Sequence, residues 1–302
     1  MRIDERIAGG GEPAFSFEFF PPKTPEGEAN LDTALAELAR LDPTYVSVTY
    51  GAGGSAEQKQ KTIEIVSRIK ASHGLEAMAH FTCVGASVAD LRATLDRMRE
   101  AGIENVLALR GDPPAGIAAH EWQAAEDGLT YSRELIELIR ADYDFAVGAA
   151  CFPEVHLAAE SAESDLRYTR EKVDAGARFL ITQLFFDNTV YYDFVARARE
   201  AGIDVPIIPG IMPITNVAQI RRFTSMCGAS IPAGLLRELD LRSDQPDAVA
   251  DFGVAYATMQ CAELLANGAP GIHFYTLNRS PSTRAILSAL RVMAPWRRAV
   301  TA

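Results

Sequence analysis

The chain has 302 residues, of which 48% are hydrophobic and 23% are charged, so it is able to bury a large core. Its formal net charge of -11 argues against a general role in binding nucleic acid or anionic membranes, although a local basic site for a phosphate group is compatible with it. The N-terminal residues are charged and no segment offers about 18 uninterrupted apolar residues. We therefore expect a soluble, cytoplasmic protein that acts on small molecules.

Helical patterns alternate with short apolar runs along the chain. The phrase Arg-Glu-Ala-Gly-Ile occurs at 99–103 and again at 199–203, each time closing a helical pattern and leading into an apolar run. Its glycine supplies the left-handed residue that commonly ends a helix. Eight apolar runs are predicted to be strands: Phe15 to Phe20, Tyr45 to Tyr50, Ala77 to Thr82, Val106 to Arg110, Phe145 to Cys151, Phe179 to Phe185, Val205 to Ile211 and Gly271 to Leu277.

Strands that alternate with helices imply a parallel sheet, and eight such units favour closure into a (β/α)8 TIM barrel. An open doubly wound sheet is the alternative, because periodicity alone does not show closure. No proline- or serine-rich linker divides the chain, so we expect one domain over residues 1–302 with the barrel at about 14–292. The leucine-containing segment at 231–247 predicts a short helical excursion before the last barrel helix.

Two local patterns predict where helices begin. Ser55 with Gln58 and Ser87 with Asp90 resemble capping pairs, which places helix starts just after the second and third predicted strands. The four cysteines are far apart in the sequence and lack the paired spacing of a zinc site or a redox dithiol. We expect buried thiols in a reducing cytoplasm at all four positions, namely Cys83, Cys151, Cys227 and Cys261.

Glu18 is the most unusual residue of the first predicted strand. It stands among four phenylalanines, just before Pro21 and Pro22 end the strand. Desolvation disfavours an ionised carboxylate on an apolar element, so Glu18 either finds polar partners or keeps its proton with a raised pKa. A glutamic acid that is protonated near neutral pH is a ready general acid.

Polar residues recur at the carboxyl ends of the predicted strands, where barrel proteins carry their chemistry. A lone threonine or histidine at such a place is more often a core residue, but Gln183 in an apolar run needs several hydrogen-bond partners. Seven of the eight strands carry such residues, and together they favour a site. These residues are Glu18, Thr49, His80, Thr82, Arg110, Asp112, Glu154, His156, Gln183, Asn278 and Arg279.

Other kinds of site fit the sequence less well. His80, Glu154 and His156 are metal-ligand types, but their spacing matches no metal motif, so we expect no metal. No Gly-x-Ser-x-Gly elbow indicates a nucleophilic triad. The run 51–56 fits the degenerate dinucleotide fingerprint, yet the strand that follows ends without the acidic residue that binds a ribose. A tight loop close to a ligand accounts for these glycines better.

Taken together, the motifs resemble those of the methylenetetrahydrofolate reductase family, in its bacterial single-domain form, from about Phe15 to Arg279. The residues that carry the resemblance are Phe-Glu-Phe-Phe-Pro-Pro-Lys at 17–23, Val-Thr-Tyr-Gly at 48–51, His-Phe-Thr-Cys at 80–83, Arg-Gly-Asp-Pro at 110–113, Pro-Glu-Val-His at 153–156, Thr-Gln-Leu-Phe-Phe-Asp at 182–187, Pro-Gly-Ile-Met-Pro at 209–213 and His-Phe-Tyr-Thr-Leu-Asn-Arg at 273–279.

The resemblance implies an FAD-containing barrel that reduces 5,10-methylenetetrahydrofolate to 5-methyltetrahydrofolate with NADH or NADPH, in a ping-pong reaction that supplies methyl groups for methionine synthesis. Glu18 matches the catalytic glutamate, which would protonate the departing nitrogen, and Asp112 matches an aspartate near the flavin and the pterin. Positions matching the FAD site are Thr49, His80, Arg110, Gly111, Asp112, Phe152, His156, Asp165 and Lys172. Positions matching substrate contacts are Gln183, Gln219, Phe223 and Arg279.

The sequence departs from many bacterial relatives at Phe152, where a tyrosine is common, and at Leu157, where a proline is common. We expect these changes to affect FAD affinity rather than the type of reaction. The end of the sequence at Ala302 predicts no C-terminal regulatory domain, and the bacterial family suggests a homo-oligomer. NADH and NADPH both stay open, as do a flavin barrel similar to proline dehydrogenase and a folate-binding barrel without redox chemistry.

Overall fold

The computed structural model of the chain describes residues 1–50, 56–112 and 122–297, in which nine parallel strands form one sheet. The strands follow the order β7-β6-β5-β4-β3-β2-β1-β9-β8 across the sheet. Their bounds are β1 (Ala14–Phe19), β2 (Tyr45–Val48), β3 (Ala77–Thr82), β4 (Asn105–Leu109), β5 (Ala146–Cys151), β6 (Phe179–Thr182), β7 (Ile207–Ile208), β8 (Gly210–Ile211) and β9 (Gly271–Tyr275).

The two outermost strands of this order belong to one chain segment, and this closes the barrel. β7 pairs with β6 and β8 pairs with β9, while Pro209 alone separates β7 from β8. Proline lacks the backbone N–H that a strand ladder needs, so the predicted seventh strand is interrupted there. The carbonyl of Pro209 still accepts a hydrogen bond from the amide of His273 at 2.9 Å. The predicted (β/α)8 TIM barrel is confirmed, with its seventh strand in two parts.

Helices follow most of the strands on the outside of the barrel. The predicted helical excursion is present as a short separate helix ahead of the long helix that leads to β9. The helices are α1 (Ile3–Ala8), α2 (Pro25–Ala39), α3 (Ala56–His73), α4 (Val88–Glu100), α5 (Ser132–Asp142), α6 (Ala162–Asp174), α7 (Asn188–Glu200), α8 (Val217–Cys227), α9 (Ala233–Asp240), α10 (Pro246–Ala266) and α11 (Pro281–Met293), followed by a 3-10 turn at Pro295–Arg297.

The predicted start of α4 is confirmed by its capping contacts. Ser87 accepts a hydrogen bond from the amide of Asp90, and the Asp90 carboxylate accepts one from the amide of Ser87, so the predicted capping box begins α4. The other predicted pair, Ser55 with Gln58, and the glycine run at 51–55 lie outside the described residues.

The short helix α1 is absent from the prediction and packs against the amino end of the barrel interior. Ile3 is fully buried there in a cluster with inward-facing strand residues that include Met78 and Leu107. The amide of Ile3 donates to the side-chain oxygen of Asn105 at 2.8 Å, and the Asn105 amide group donates to the carbonyl of Met1 at 2.9 Å. A six-residue charged helix is held by these tertiary contacts rather than by helix propensity.

The main core lies between the strands and the surrounding helices. Three of the four cysteines are buried in the fold as predicted, whereas the prediction was wrong for Cys227, which is half-buried in the last turn of α8. All four are free thiols.

None of the helices in the described parts of the chain combines the length and the apolarity that crossing a membrane requires.

Candidate active site

Glu18 and its phenylalanine neighbours lie on opposite faces of β1. Side chains alternate along a strand, so Phe15, Phe17 and Phe19 point away from the barrel axis and are buried in the main core. Glu18 and Ser16 point into the barrel, toward histidines on other strands. The residues that flank Glu18 in the sequence are therefore not the residues that surround its carboxylate.

Two imidazoles approach the Glu18 carboxylate inside the barrel. Its Oε2 atom is 3.3 Å from Nε2 of His273 on β9 and 3.4 Å from Nε2 of His80 on β3. The other ring nitrogen of His273, Nδ1, is 2.8 Å from the hydroxyl oxygen of Ser16. Ser16, His273 and Glu18 thus form a continuous hydrogen-bonded row, with His80 at the side of the carboxylate.

These partners decide between the two alternatives that the sequence left open for Glu18. Burial by itself raises the pKa of Glu18, but the hydrogen bond with His273 and the charge of His80 outweigh that effect, so the pKa lies below its usual value. For the basic side chain of His80, burial has the opposite effect and lowers the pKa to about 4. The site therefore holds an ionised carboxylate with polar partners, not a carboxyl group with a raised pKa.

The backbone around Glu18 is fixed by the loop that follows β9. The hydroxyl of Thr276 donates to the carbonyl of Glu18 at 2.5 Å. The Asn278 side chain donates to the carbonyl of Phe20 at 2.8 Å and accepts from the amide of Phe20 at 2.9 Å. Asn278 itself has a left-handed backbone with a φ of 57°, which asparagine tolerates better than most residues. This two-bond clamp holds the end of β1 beside the neighbouring loop.

A second polar group gathers at the carboxyl ends of β4 and β5 and on α6. Burial is the main cause that lowers the pKa of His156; the charges of Arg110 and Lys172 add to it, and those of Asp165 and Asp112 oppose it. Since all four charged side chains act on the His156 ring, these five predicted cofactor positions lie near one another. We call them the charged cluster.

Direct contacts fix parts of this charged cluster. The Asp165 carboxylate accepts a hydrogen bond from the amide of His156 at 3.3 Å, and the Lys172 ammonium donates to the carbonyl of Ala150 at 2.9 Å. Burial raises the pKa of Asp165 and lowers the pKa of Lys172. The Phe152 ring packs edge-on against the His156 ring with centroids 4.5 Å apart.

The turn after β4 requires a glycine. Gly111 has a φ of 89°, and a Cβ atom there would lie 2.6 Å from Cγ1 of Val84 and 2.9 Å from Cβ of Thr82. Glycine both adopts this conformation readily and allows the close approach. The turn carries Arg110 and the exposed Asp112 beside the charged cluster. Two cationic side chains in a chain of net charge -11 suit a diphosphate, so the residues present fit FAD.

The predicted substrate positions also lie at this end of the barrel. Gln183 directly follows β6, and its side-chain oxygen accepts a hydrogen bond from the amide of Leu184 at 2.9 Å. On α8, Gln219 and Phe223 are one turn apart and half-buried. Phe223 packs in an apolar cluster that also contains Leu184 and Leu277.

Two further predicted positions complete this end of the barrel. Arg279, at the loop after β9, is exposed. Thr49 follows β2, and its amide donates to the carbonyl of Phe19 at 2.8 Å.

Sequence reasoning missed two residues of this site, Ser16 and His273. Both lie on the inward face of their strands, and they touch across 257 positions of sequence.

Within the described residues no group of three or more His, Cys, Asp or Glu side chains is arranged to hold a metal ion. Glu154, a metal-ligand type in the sequence, instead accepts hydrogen bonds from the amide of Ser230 at 3.0 and 3.1 Å.

The fold and this site define a (β/α)8-barrel protein with a hydrogen-bonded carboxylate and a charged cluster at the carboxyl end of the barrel. Residues 2–291 match the model of the methylenetetrahydrofolate reductase family. The chain belongs to this family.

Curated relatives agree with this membership. The 5,10-methylenetetrahydrofolate reductase of Escherichia coli is 39% identical over 282 residues, covering 93% of this chain and 92% of the relative. Methylenetetrahydrofolate reductase (NADH) 1 of Arabidopsis thaliana is 39% identical over 320 residues, covering 99% of this chain and 53% of the relative. The chain thus spans about half the length of the plant relatives it matches.

Among solved structures, an uncharacterised Clostridium thermocellum protein that binds two copies of 5-methyl-5,6,7,8-tetrahydrofolic acid has the same overall fold. Its TM-score is 0.62 and its sequence identity 16%, over 96% of this chain and 98% of that one.

Proposed function

We propose that this chain reduces 5,10-methylenetetrahydrofolate to 5-methyltetrahydrofolate with a nicotinamide as reductant, in a ping-pong reaction through bound FAD, and so supplies methyl groups for methionine synthesis. The family membership supports the reaction type. The observation that carries the proposal is the inward-facing Glu18, held by His273 and His80 at the end of the barrel where the predicted substrate positions lie.

The charged cluster is the proposed FAD site. Arg110 and Lys172 supply positive charge for the diphosphate, and His156, Asp165 and Thr49 supply hydrogen-bonding groups. Gly111 lets the turn after β4 lie directly against the side chains of Val84 and Thr82. FAD held by these residues would supply the hydride transfer between the nicotinamide and the folate.

Glu18 is the proposed proton donor to the folate. The methylene bridge opens only when its departing nitrogen gains a proton, and the ligand-free carboxylate is ionised. Binding of folate excludes water from the site, which disfavours an isolated carboxylate charge and raises the pKa of Glu18. We propose that Glu18 then takes up one proton from the solvent as the folate binds and donates it to the nitrogen, while His273 stays beside the carboxyl group. Ser16 holds the His273 ring in place for this exchange.

Other residues would orient the substrates rather than move protons. A carboxylate at Asp112 is suited to accept hydrogen bonds from the amino-pyrimidinone edge of a pterin, and the Gln183 amide can contact the same ring system. Phe223 offers an aromatic face to the ring of the folate or the nicotinamide. Gln219 and Arg279 are polar groups at the same end of the barrel, where they are proposed to contact the substrate.

An anaerobic two-step experiment tests this function. The purified protein with its flavin is first mixed with NADH or, in a parallel arm, with NADPH, and the bleaching of the flavin absorbance is followed. Methylenetetrahydrofolate is then added, and we expect the flavin to reoxidise as 5-methyltetrahydrofolate forms. Protein that binds no FAD, or reduced flavin that methylenetetrahydrofolate leaves unchanged, would contradict the proposal. Proline replaces the nicotinamide in a control arm, where bleaching would indicate an amine dehydrogenase instead.

A further inference from the structure

Two buried hydroxyl groups on β2 have unused hydrogen-bonding capacity beside the Glu18 row. Tyr45 and Ser47 are both fully buried. Neither hydroxyl oxygen has a hydrogen bond of good geometry among the residues that the structure describes. The Tyr45 hydroxyl still lies close to that of Ser16, because burial raises the pKa of Tyr45 and the Ser16 hydroxyl opposes this rise. The proposed reaction assigns no role to either group.

The register of the sheet places both residues next to the site. Tyr45 is the direct neighbour of Ser16 across β1 and β2, and Ser47 is the direct neighbour of Glu18. The Tyr45 ring also stacks against the His273 ring, with centroids 6.4 Å apart and planes 20° from parallel. The two hydroxyl residues therefore extend the polar layer that contains the Glu18 carboxylate.

A third group in this layer is incompletely satisfied. Nε2 of His80 lies 3.4 Å from the Glu18 carboxylate but has no hydrogen-bond partner of good geometry in the described chain. Leaving a buried polar group unpaired is costly, and proteins commonly avoid this with an internal water that makes about two to four hydrogen bonds. Three such groups around one carboxylate meet the polar requirement for a buried water.

We propose that an enclosed water binds between Tyr45, Ser47 and the Glu18 carboxylate, and that Tyr45 and Ser47 are positioning residues that set the proton affinity of Glu18 through it. The inference rests on the proposed function for its catalytic meaning, although the water itself does not. The water receives hydrogen bonds from the hydroxyls and donates one to Glu18, which stabilises the ionised carboxylate in the ligand-free protein.

The titratable groups around this water come from four strands. Glu18 lies on β1, Tyr45 on β2, His80 on β3, and His273 and Tyr275 on β9. Burial raises the pKa of Tyr45 above its usual value, so its hydroxyl stays neutral and can donate throughout the working pH range.

Apolar side chains close the barrel interior on the side away from the rim. Ile3, Met78 and Leu107 are buried there in one cluster with Tyr45. These side chains separate a water in this layer from the amino end of the barrel. The effect of the water is to adjust the charge state of Glu18, rather than to conduct protons through the barrel.

The functional test compares Tyr45→Phe and Ser47→Ala with the wild-type protein. Loss of a donor to an ionised carboxylate raises its pKa, so the alkaline limb of the pH profile for folate reduction should move up by about one pH unit. The pH profile of flavin reduction by NADH should not move. Tyr50→Phe is the matched control, since it removes another buried tyrosine hydroxyl whose ring packs against Phe81 outside this row.

Two measurements decide the inference independently of folate reduction. A high-resolution crystal structure should show a water within hydrogen-bond distance of Tyr45 Oη and Ser47 Oγ, and Tyr45→Phe should lose it. Carboxyl-carbon NMR, with the Glu18 signal assigned by its loss in Glu18→Gln, should show a higher titration midpoint for Glu18 in Tyr45→Phe. Absence of the water or an unchanged midpoint would overturn the inference. A protein that fails to reduce folate overturns the proposed function alone.

Discussion

The two halves of the barrel interior differ in how they are held together. The half formed by β9 and β1 to β3, here called the polar half, is linked by hydrogen bonds and ionic contacts around one carboxylate. The half formed by β4 to β7, here called the apolar half, is filled mainly by apolar side chains, and Asn105 at its amino end bonds to the N-terminal segment. Its inward residues include Leu107, Phe179, Ile181 and Ile208.

Shape, rather than hydrogen bonding, organises the apolar half. Gly148 on β5 leaves the space that the ring of Phe179 occupies, because a Cβ atom at position 148 would lie 2.5 Å from Cε2 of that ring. Close packing of this kind makes a rigid wall. The comparison suggests that the apolar half supplies stability, while the polar half gives up some stability to hold a charge where a substrate can reach it.

Breaking the apolar half should give the largest loss of stability. Phe179→Ala removes a fully buried ring, and we expect the free energy of unfolding to fall by about 3–5 kcal/mol, from the lost burial and the cavity left behind. Chemical denaturation measures this change. Phe20→Ala removes an exposed phenylalanine and serves as the control, with an expected loss below about 1 kcal/mol. Similar losses for the two variants would contradict the division of the interior.

Acid should cause a smaller loss of stability through the polar half, because His80 lies there. The pKa of His80 falls from 6.5 in the unfolded chain to about 4 in the fold, so between these values the unfolded chain binds a proton that the folded chain does not. Stability should therefore drop as the pH falls from 6.5 to 4, by on the order of 2 kcal/mol. The lowered pKa of Glu18 acts with the same sign below the usual glutamate value.

Denaturation of His80→Gln at several pH values sharpens this comparison. We expect the variant to lose the part of the slope between pH 6.5 and 4 that His80 causes, because its side chain does not titrate, while the lowered pKa of His156 leaves a remainder of the same sign. Ile181→Val, a change in the apolar half, should lower stability by the same amount at every pH. An undiminished slope in His80→Gln would show that other groups cause the acid sensitivity.

The barrel was predictable from the sequence because its signals are local. Helix caps such as Ser87 with Asp90 and the alternation of strands with helices each depend on a few neighbouring residues. The division of the seventh strand was less predictable. It depends on the pairing of the segment before Pro209 with β6 and of the segment after Pro209 with β9. Helix α1 was missed because tertiary contacts of Ile3 hold it, and short helices leave little trace in a sequence.

The candidate site was only partly predictable for a related reason. Glu18 was singled out by its phenylalanine neighbours, but the strand period turns those rings to the other face, so its surroundings could not be read from adjacent residues. His273 and Ser16 meet across nearly the whole chain. Neither is unusual in its own segment, and only the closed sheet places them beside the carboxylate.

The central claim is that Glu18 donates the proton to the folate, and Glu18→Gln tests it most directly. The amide keeps the size of the side chain but supplies no carboxylic proton. The matched control is Glu76→Gln, which changes a carboxylate near the amino end of the barrel that accepts a hydrogen bond from Asn105 at 2.9 Å.

Both half-reactions are measured by anaerobic rapid mixing of the flavin-loaded proteins. For Glu18→Gln we predict flavin reduction by NADH at nearly the wild-type rate, and reoxidation by methylenetetrahydrofolate slowed by about a hundredfold to ten-thousandfold. Glu76→Gln should leave both rates unchanged. Equal slowing of the two half-reactions in Glu18→Gln, or folate reduction at the wild-type rate, would contradict the account.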